Sequence, residues 1–266
     1  MRINKFLALA GLGSRRKVEE LITSGKIKVN GKITKDLSTD IKDTDIVYFG
    51  TKPVKVSNNF VYYKLHKPKG YVTTVEDDKE RKTVMDLLRG VHTRVYPVGR
   101  LDYDTEGLLL FTNDGDITNI LTRPSSEVNK TYTVHIEGTI TQEEIKKLTS
   151  GVEIDGYKTK PCSIVILSIG DKLTKLQITI SEGKNRQIRK MFESIDKTIT
   201  LLRRVQIGEI KLGGLSRGEY VALNPKELKY LKNLKNNLKN WTQQKNTQPR
   251  VFLTYRDKLF SSSLVK

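Results

Sequence analysis

Between Gly107 and Thr112 the chain runs Leu-Leu-Leu-Phe without a break. The stretch before it, Val98-Gly99-Arg100-Leu101-Asp102-Tyr103-Asp104-Thr105-Glu106, carries one cation and three acids. Unbroken apolar residues of this kind predict a strand buried on both faces. A strand over Val95 to Val98 leads into the charged turn, and the buried strand resumes at Gly107. Turns that only reverse the chain need little charge, so a carboxylate at the lip of a buried strand points to binding or chemistry. Two plainer readings compete. Asp102, Asp104 and Glu106 alternate like calcium ligands, but Glu106 and Asn113 stand where an EF-hand needs Asp or Asn and then a bidentate Glu. The other is a solvated acidic turn with no task of its own.

The rest of the chain narrows the choice. Its 266 residues, net charge +18, suit one large or two modest domains with a real core. Twelve Lys/Arg against six Asp/Glu fall in residues 1–57, and ten against two in 226–266, which leaves the middle near neutral. Basic flanks around such a middle suit a polyanion, and nucleic acid fits better than a membrane because no lipidation motif or aromatic-rich amphipathic helix is present. No apolar stretch approaches the ~20 residues of a membrane span. The single cysteine, Cys162, excludes an internal disulfide and suits a reducing cytoplasm. No Walker lysine, no GxGxxG and no clustered Cys/His spacing occurs, so neither a cofactor nor a metal is expected. His66, His92 and His135 are scattered. A monomer is the default expectation.

The first unit reads helix, helix, hairpin. Ile3, Phe6, Leu7 and Ala10 recur at helical spacing until Gly11-Leu12-Gly13. Ser14 is an N-cap for a second helix whose face carries Val18, Leu21 and Ile22, ending at Gly25. Ile27-Lys28-Val29 then meets Asn30-Gly31, a type I′ hairpin signal. Arg15, Arg16 and Lys17 therefore start a helix, where free N–H groups already favour phosphate. A linker is expected over Gly50 to Asn59. Beyond it, strands are predicted at Val61 to Leu65, Tyr71 to Val75, Thr131 to Ile136, Ile164 to Leu167, Leu176 to Ile180 and Tyr220 to Leu223. Helices are predicted at Val84 to Leu88, Asp116 to Leu121, Gln142 to Thr149 and Arg186 to Ser194. The class is α+β with a mixed, largely antiparallel sheet. Leu228, Leu231, Leu234 and Leu238 suggest one amphipathic helix, and the tail after Trp241 reads as partly disordered.

Arg2-Ile3-Asn4-Lys5-Phe6-Leu7, Ser14-Arg15-Arg16 and Leu21 to Gly31 resemble the small RNA-binding domain first named for ribosomal protein S-four. That resemblance implies recognition of structured RNA through phosphate and shape. Further on, Lys67-Pro68-Lys69-Gly70, Gly99-Arg100-Leu101-Asp102 with Gly107 to Gly115, Lys130-Thr131-Tyr132, and Glu182-Gly183-Lys184-Asn185-Arg186-Gln187-Ile188-Arg189-Lys190-Met191 together resemble the pseudouridine synthases of the RsuA/RluB type. The match covers roughly residues 1–225 in order and spacing. It implies an S-four-like domain over 1–57 and a synthase domain over 60–225, and it leaves unmatched a basic helical and partly disordered extension over 226–266.

The resemblance makes Asp102 the catalytic carboxylate, Arg189 its ion-pair partner and Tyr132 the ring that stacks on uracil. Arg100 would enter the space left by a flipped uridine, Arg186 and Lys184 would contact phosphates, and Ile188 would lie beneath the base or simply in the core. Asp104, Glu106, Asp114 and Asp116 would be loop and capping residues. RNA contacts are further expected at Arg2, Ser14, Arg15, Arg16, Lys17 and Lys67. The substrate implied is ribosomal RNA, the large subunit favoured. A non-catalytic RNA-binding assembly factor on the same scaffold, or a metal-dependent nuclease, are the rival classes.

Overall fold

The computed structural model describes residues 1–56 and 59–247, with the side chains of the last helix described to residue 237. The expected tail beyond it lies outside the described residues. Helices α1 (Ile3–Leu9) and α2 (Arg15–Thr23) lie on a small sheet of β1 (Ile27–Val29), β2 (Lys32–Ile33), β3 (Val47–Phe49) and β4 (Lys52–Val54), in the order β2-β1-β3-β4. Ser14 Oγ accepts the Lys17 N–H at 3.2 Å, which starts α2 as its cap position predicts. Asn30 and Gly31 both have positive φ, 50° and 80°, as a type I′ turn requires. Ile3, Leu7, Val18, Ile22, Ile27 and Val47 close a core of this unit's own. The expected linker is shorter than predicted: Lys52–Val54 pairs with β3 around a turn at Gly50.

The second unit holds β5 (Tyr62–Lys67), a 3₁₀ turn at Val84–Leu87, β6 (Tyr96–Val98), β7 (Glu106–Thr112), α3 (Gly115–Thr122), β8 (Lys130–Glu137) and α4 (Gln142–Ser150). Next come β9 (Glu153–Ile154), β10 (Tyr157–Lys158), β11 (Ser163–Ser168), β12 (Leu173–Ile180) and α5 (Gln187–Glu193). The chain continues through β13 (Ile199–Ile207), β14 (Ile210–Lys211), β15 (Tyr220–Ala222) and α6 (Pro225–Thr247). One nine-stranded sheet runs β11-β12-β8-β13-β7-β5-β15, with β6 on β7 and β14 on β13. The steps along it are antiparallel except β13 with β7, where Arg203 pairs with Glu106 and Arg204 with Gly107.

Every residue of β7 is buried. Leu109 and Phe111 face one core, with Tyr132, Val134 and Met191, while Leu108 and Leu110 face a second under α3 and α6. The alternation of a strand splits four consecutive apolar residues between two cores. At roughly 1.5–3 kcal/mol per buried side chain, this strand is a large part of what holds the sheet together. The first turns of α6 belong to the second core: Leu231 is buried there, Lys64 pairs with Glu227 at 2.6 Å, and Lys235 with Asp114 at 2.8 Å.

Three sequence expectations change. Tyr71 to Val75 forms no strand; only Val72 bridges, to Thr83, because this segment bonds to the 99–105 loop instead. The central strand β13, Ile199–Ile207, has no counterpart among the strands expected from sequence. The predicted helix at Val84 to Leu88 is a 3₁₀ turn capped by Thr83 and Asp86.

Candidate active site

The 99–105 loop joins β6 to β7 where β13 takes the place of β6 beside β7. It is fastened residue by residue to the segment that follows β5. Lys67 is fully buried, and its Nζ donates to the carbonyls of Asp102 at 3.0 Å, Thr105 at 2.9 Å and Pro68 at 3.1 Å. The Gly70 N–H donates to the Tyr103 carbonyl at 2.9 Å, and Thr73 Oγ1 to that of Leu101 at 2.7 Å. Burial pushes the Lys67 ammonium down to about 8, against the opposing pull of Asp102, Asp104 and Glu106. The expectation that Lys67 touches RNA is therefore corrected: its three protons are engaged by three carbonyls and none of it reaches the surface. Its task is to hold the loop.

Asp102 is half-buried and lines a cavity of about 430 Å³ together with Arg100, Tyr132, Lys184, Arg186 and Ile188. Tyr132 comes from β8 and Ile188 from the first turn of α5, and both are buried. Arg100, Lys184 and Arg186 are exposed. The Lys184 ammonium sits 3.2 Å from the centre of the Tyr157 ring, a cation–π contact, and among the described residues it makes no salt bridge. Sequence order scatters these residues over nearly ninety positions; the sheet gathers them.

Arg189 departs from its expected pairing. Its Nη2 lies 3.1 Å from the Asp104 carboxylate and donates to the Asp104 carbonyl at 3.1 Å. Arg186 Nη1 lies 3.4 Å from the other Asp104 oxygen. Two arginines three residues apart share one side of a helix start, and the residue they meet is Asp104, not Asp102. The Arg189 Nε is buried without a partner. Asp104 thus ties the loop to α5 rather than serving as turn filler.

Glu106 is likewise more than a loop residue. It is 4% exposed and paired to Arg203 at 2.5 Å and Arg217 at 2.9 Å. Burial alone would raise its carboxyl, but hydrogen bonds from Arg217 and Arg203 outweigh it and hold the group below its usual range. Asp114 does cap α3, accepting the N–H groups of Asp116 and Ile117, and also accepts the Tyr62 hydroxyl at 2.9 Å.

The basic residues of the first unit stay apart from Asp102. Arg2, Ser14, Arg15, Arg16 and Lys17 are exposed, the last four at the start of α2. A second cleft of about 810 Å³ lies between that helix start and α3, lined by Lys5, Arg15, Arg94, Tyr96 and Asn119. It shares Thr122 with the first cavity. Lys5 pins the two units together through Asp116 at 3.0 Å. Residues missed from sequence are Lys130 of β8 and Arg204 of β13, both in the cavity wall. Lys130 was visible inside its motif; Arg204 had no signal.

Comparison with known proteins agrees with this layout. Residues 61–194 match the model of the RNA pseudouridylate synthase family, and residues 1–47 that of the S4 domain. The ribosomal large subunit pseudouridine synthase B of Bacillus subtilis is 41% identical over 90% of this chain and 98% of that relative. An uncharacterized RNA pseudouridine synthase of Aquifex aeolicus is 40% identical over 87% of this chain and 93% of its own. A crystal structure of a pseudouridylate synthase superposes with a TM-score of 0.63 at 29% identity, covering 87% of this chain and 99% of that one.

Proposed function

The chain belongs to the RNA pseudouridylate synthase family, and we propose that it isomerises one uridine of large-subunit ribosomal RNA with Asp102 as the reacting carboxylate. The observation that carries this reading is the meeting of Asp102, Tyr132 and Ile188 in one cavity whose remaining lining includes exposed cations. The basic helix start of the first unit supports an RNA substrate, and the name of the Bacillus subtilis relative supports large-subunit RNA.

The reaction breaks the N1–C1′ bond of uridine, turns the uracil and rejoins it through C5. Positive charge builds at C1′ as the bond opens, and a carboxylate stabilises or captures it, as in glycosidases. The alternative is removal of a ribose proton to give a glycal. Either route needs a carboxylate held still, which the Lys67 bonds to the loop backbone provide. Tyr132 offers a face on which the detached base can turn without escaping. Arg100 fills the space the flipped nucleotide vacates. Arg186 and Lys184 meet phosphates, Arg186 exchanging Asp104 for one. Arg189 keeps the loop seated through Asp104.

Asp102→Asn is expected to abolish pseudouridine formation, read as tritium release from 5-tritiated uridine in a ribosomal RNA transcript, with RNA affinity retained. Product from that variant would overturn the assignment. Mapping pseudouridines in ribosomal RNA from cells lacking the protein identifies the subunit and the position.

A further inference from the structure

Two cations of the cavity wall have no part in that scheme. Arg204 on β13 stands directly opposite Tyr132 on β8, and its Nε donates to the Leu108 carbonyl at 2.8 Å. The residue is only 5% exposed, yet its Nη2 has no hydrogen-bond partner. Lys130, two residues before Tyr132 on the same face of β8, also lines the cavity. Among the described residues its ammonium has neither a hydrogen-bond nor an ion-pair partner. Burial, and then the charge of Arg204, push it below its ordinary value. Two like charges share one enclosure without a carboxylate holding either. Both side chains line the cavity, so an acceptor entering it would meet two cationic donors that, among the described residues, no carboxylate holds.

The place of Arg204 selects the acceptor. A phosphodiester remains with the polynucleotide backbone, near the exposed Arg100, Lys184 and Arg186. What reaches the Tyr132–Arg204 pair, among the buried Ile180, Leu202 and Ile207, is a base. We propose that Arg204, aided by Lys130, hydrogen-bonds a carbonyl oxygen of the uracil and stabilises the negative charge it carries while detached from the ribose. This rests on the reaction assigned above. When N1–C1′ breaks, the bonding pair stays on N1 and its charge spreads to O2 and O4. C5 then attacks C1′, the C5 proton leaves, and N1 takes a proton, so the sum is an isomerisation. Carboxylate attack and the glycal route both pass through this anion. The pair acts as fixed donors aimed where charge develops.

The test compares full-length wild type, Arg204→Gln and Lys130→Met under single-turnover conditions on one transcript carrying uridine or 5-fluorouridine. Removing such a donor is expected to slow conversion about 100-fold for Arg204→Gln and about 10-fold for Lys130→Met. RNA Kd should stay within about twofold, because the interaction belongs to the transition state. Fluorine stabilises the detached base, so both deficits should shrink several-fold on 5-fluorouridine, followed as loss of the nucleoside in nuclease digests. If Arg204→Gln melts early, Lys130→Met decides alone, since that side chain loses no protein partner. Weaker RNA binding with a normal rate at saturation would overturn the proposal in favour of a phosphate site. Equal deficits on both substrates would also overturn it. Inactive wild type would instead refute the underlying reaction.

Discussion

Lys67→Met removes an ammonium while keeping most of the buried stem, and separates a positioning role from an RNA contact. Three carbonyls, of Pro68, Asp102 and Thr105, lose their donor inside the protein. At roughly 1–3 kcal/mol for each unsatisfied buried acceptor, the loss is about 3–9 kcal/mol. The variant is relieved of burying a charge. The gap between the ordinary 10.5 and about 8, at roughly 1.4 kcal/mol per pH unit, makes that relief about 3 kcal/mol. The net is a destabilisation of about 3 kcal/mol, or roughly 6–12 °C in Tm for a chain of this size. Activity should suffer more, because an ångström of play in the 99–105 loop costs about 100-fold in kcat. Differential scanning calorimetry and single-turnover tritium release measure the two effects.

The pH dependence has a definite sign. Between about pH 8 and 10.5 the unfolded lysine keeps a proton that the folded one has lost. Wild-type stability therefore gains from this group as pH rises through that window, relative to the Met variant. Activity moves the opposite way, because a neutral amine has two protons for three carbonyls, so kcat should fall above about pH 8 in wild type only. A variant with unchanged Tm and kcat but weaker, less salt-sensitive RNA binding would refute the positioning role.

Two other outcomes follow from the same geometry. Gly107→Ala would set a Cβ 2.2 Å from the Arg204 carbonyl oxygen and 2.6 Å from its nitrogen, at φ +110°, so β7 and β13 must part. A loss of more than about 3 kcal/mol in urea unfolding is expected, and an unmoved midpoint would contradict the close approach. Replacing Arg15, Arg16 and Lys17 together by Ser should weaken RNA binding and flatten the slope of log K against log salt by about 2–3, with the rate at saturating RNA unchanged. An unaltered slope would remove that helix start from the RNA interface.

What the sequence discloses is local chemistry. The Ser14 cap, the Asn30-Gly31 turn and the place of β8 are written in adjacent residues; the structure has all three, β8 being one residue longer at each end. The doubly buried β7 is legible for the same reason, since four apolar residues in a row leave no wet face. β13 was hidden because it is irregular: its pairing with β8 shifts between Ile199 and Leu201 and again between Arg204 and Gln206. Two bulges destroy the alternation by which a strand is recognised, and two arginines at its middle look like surface. Lys67 misleads in the same way. A lysine beside Pro68, Lys69 and Gly70 reads as solvent-facing, and the carbonyls that bury it lie 35 residues further on at Asp102 and 38 at Thr105. Asp104 and Glu106 could be seen as acids, but their arginines come from α5, β13 and the turn before β15.

The parallel joining of β7 to β13 sets an order of assembly. A parallel neighbour cannot be reached by a hairpin, and here the partners Glu106 and Arg203 are 97 residues apart, so this contact is among the slowest to close. On a ribosome making the chain, α1 to β4 have their own core after little more than fifty residues. The loop bearing Asp102 has its final neighbour only once Ile207 has emerged. The RNA-holding unit can thus be complete, and engaged, well before the cavity exists. Chemistry comes last in synthesis, and a chain truncated before β13 would grip RNA without modifying it.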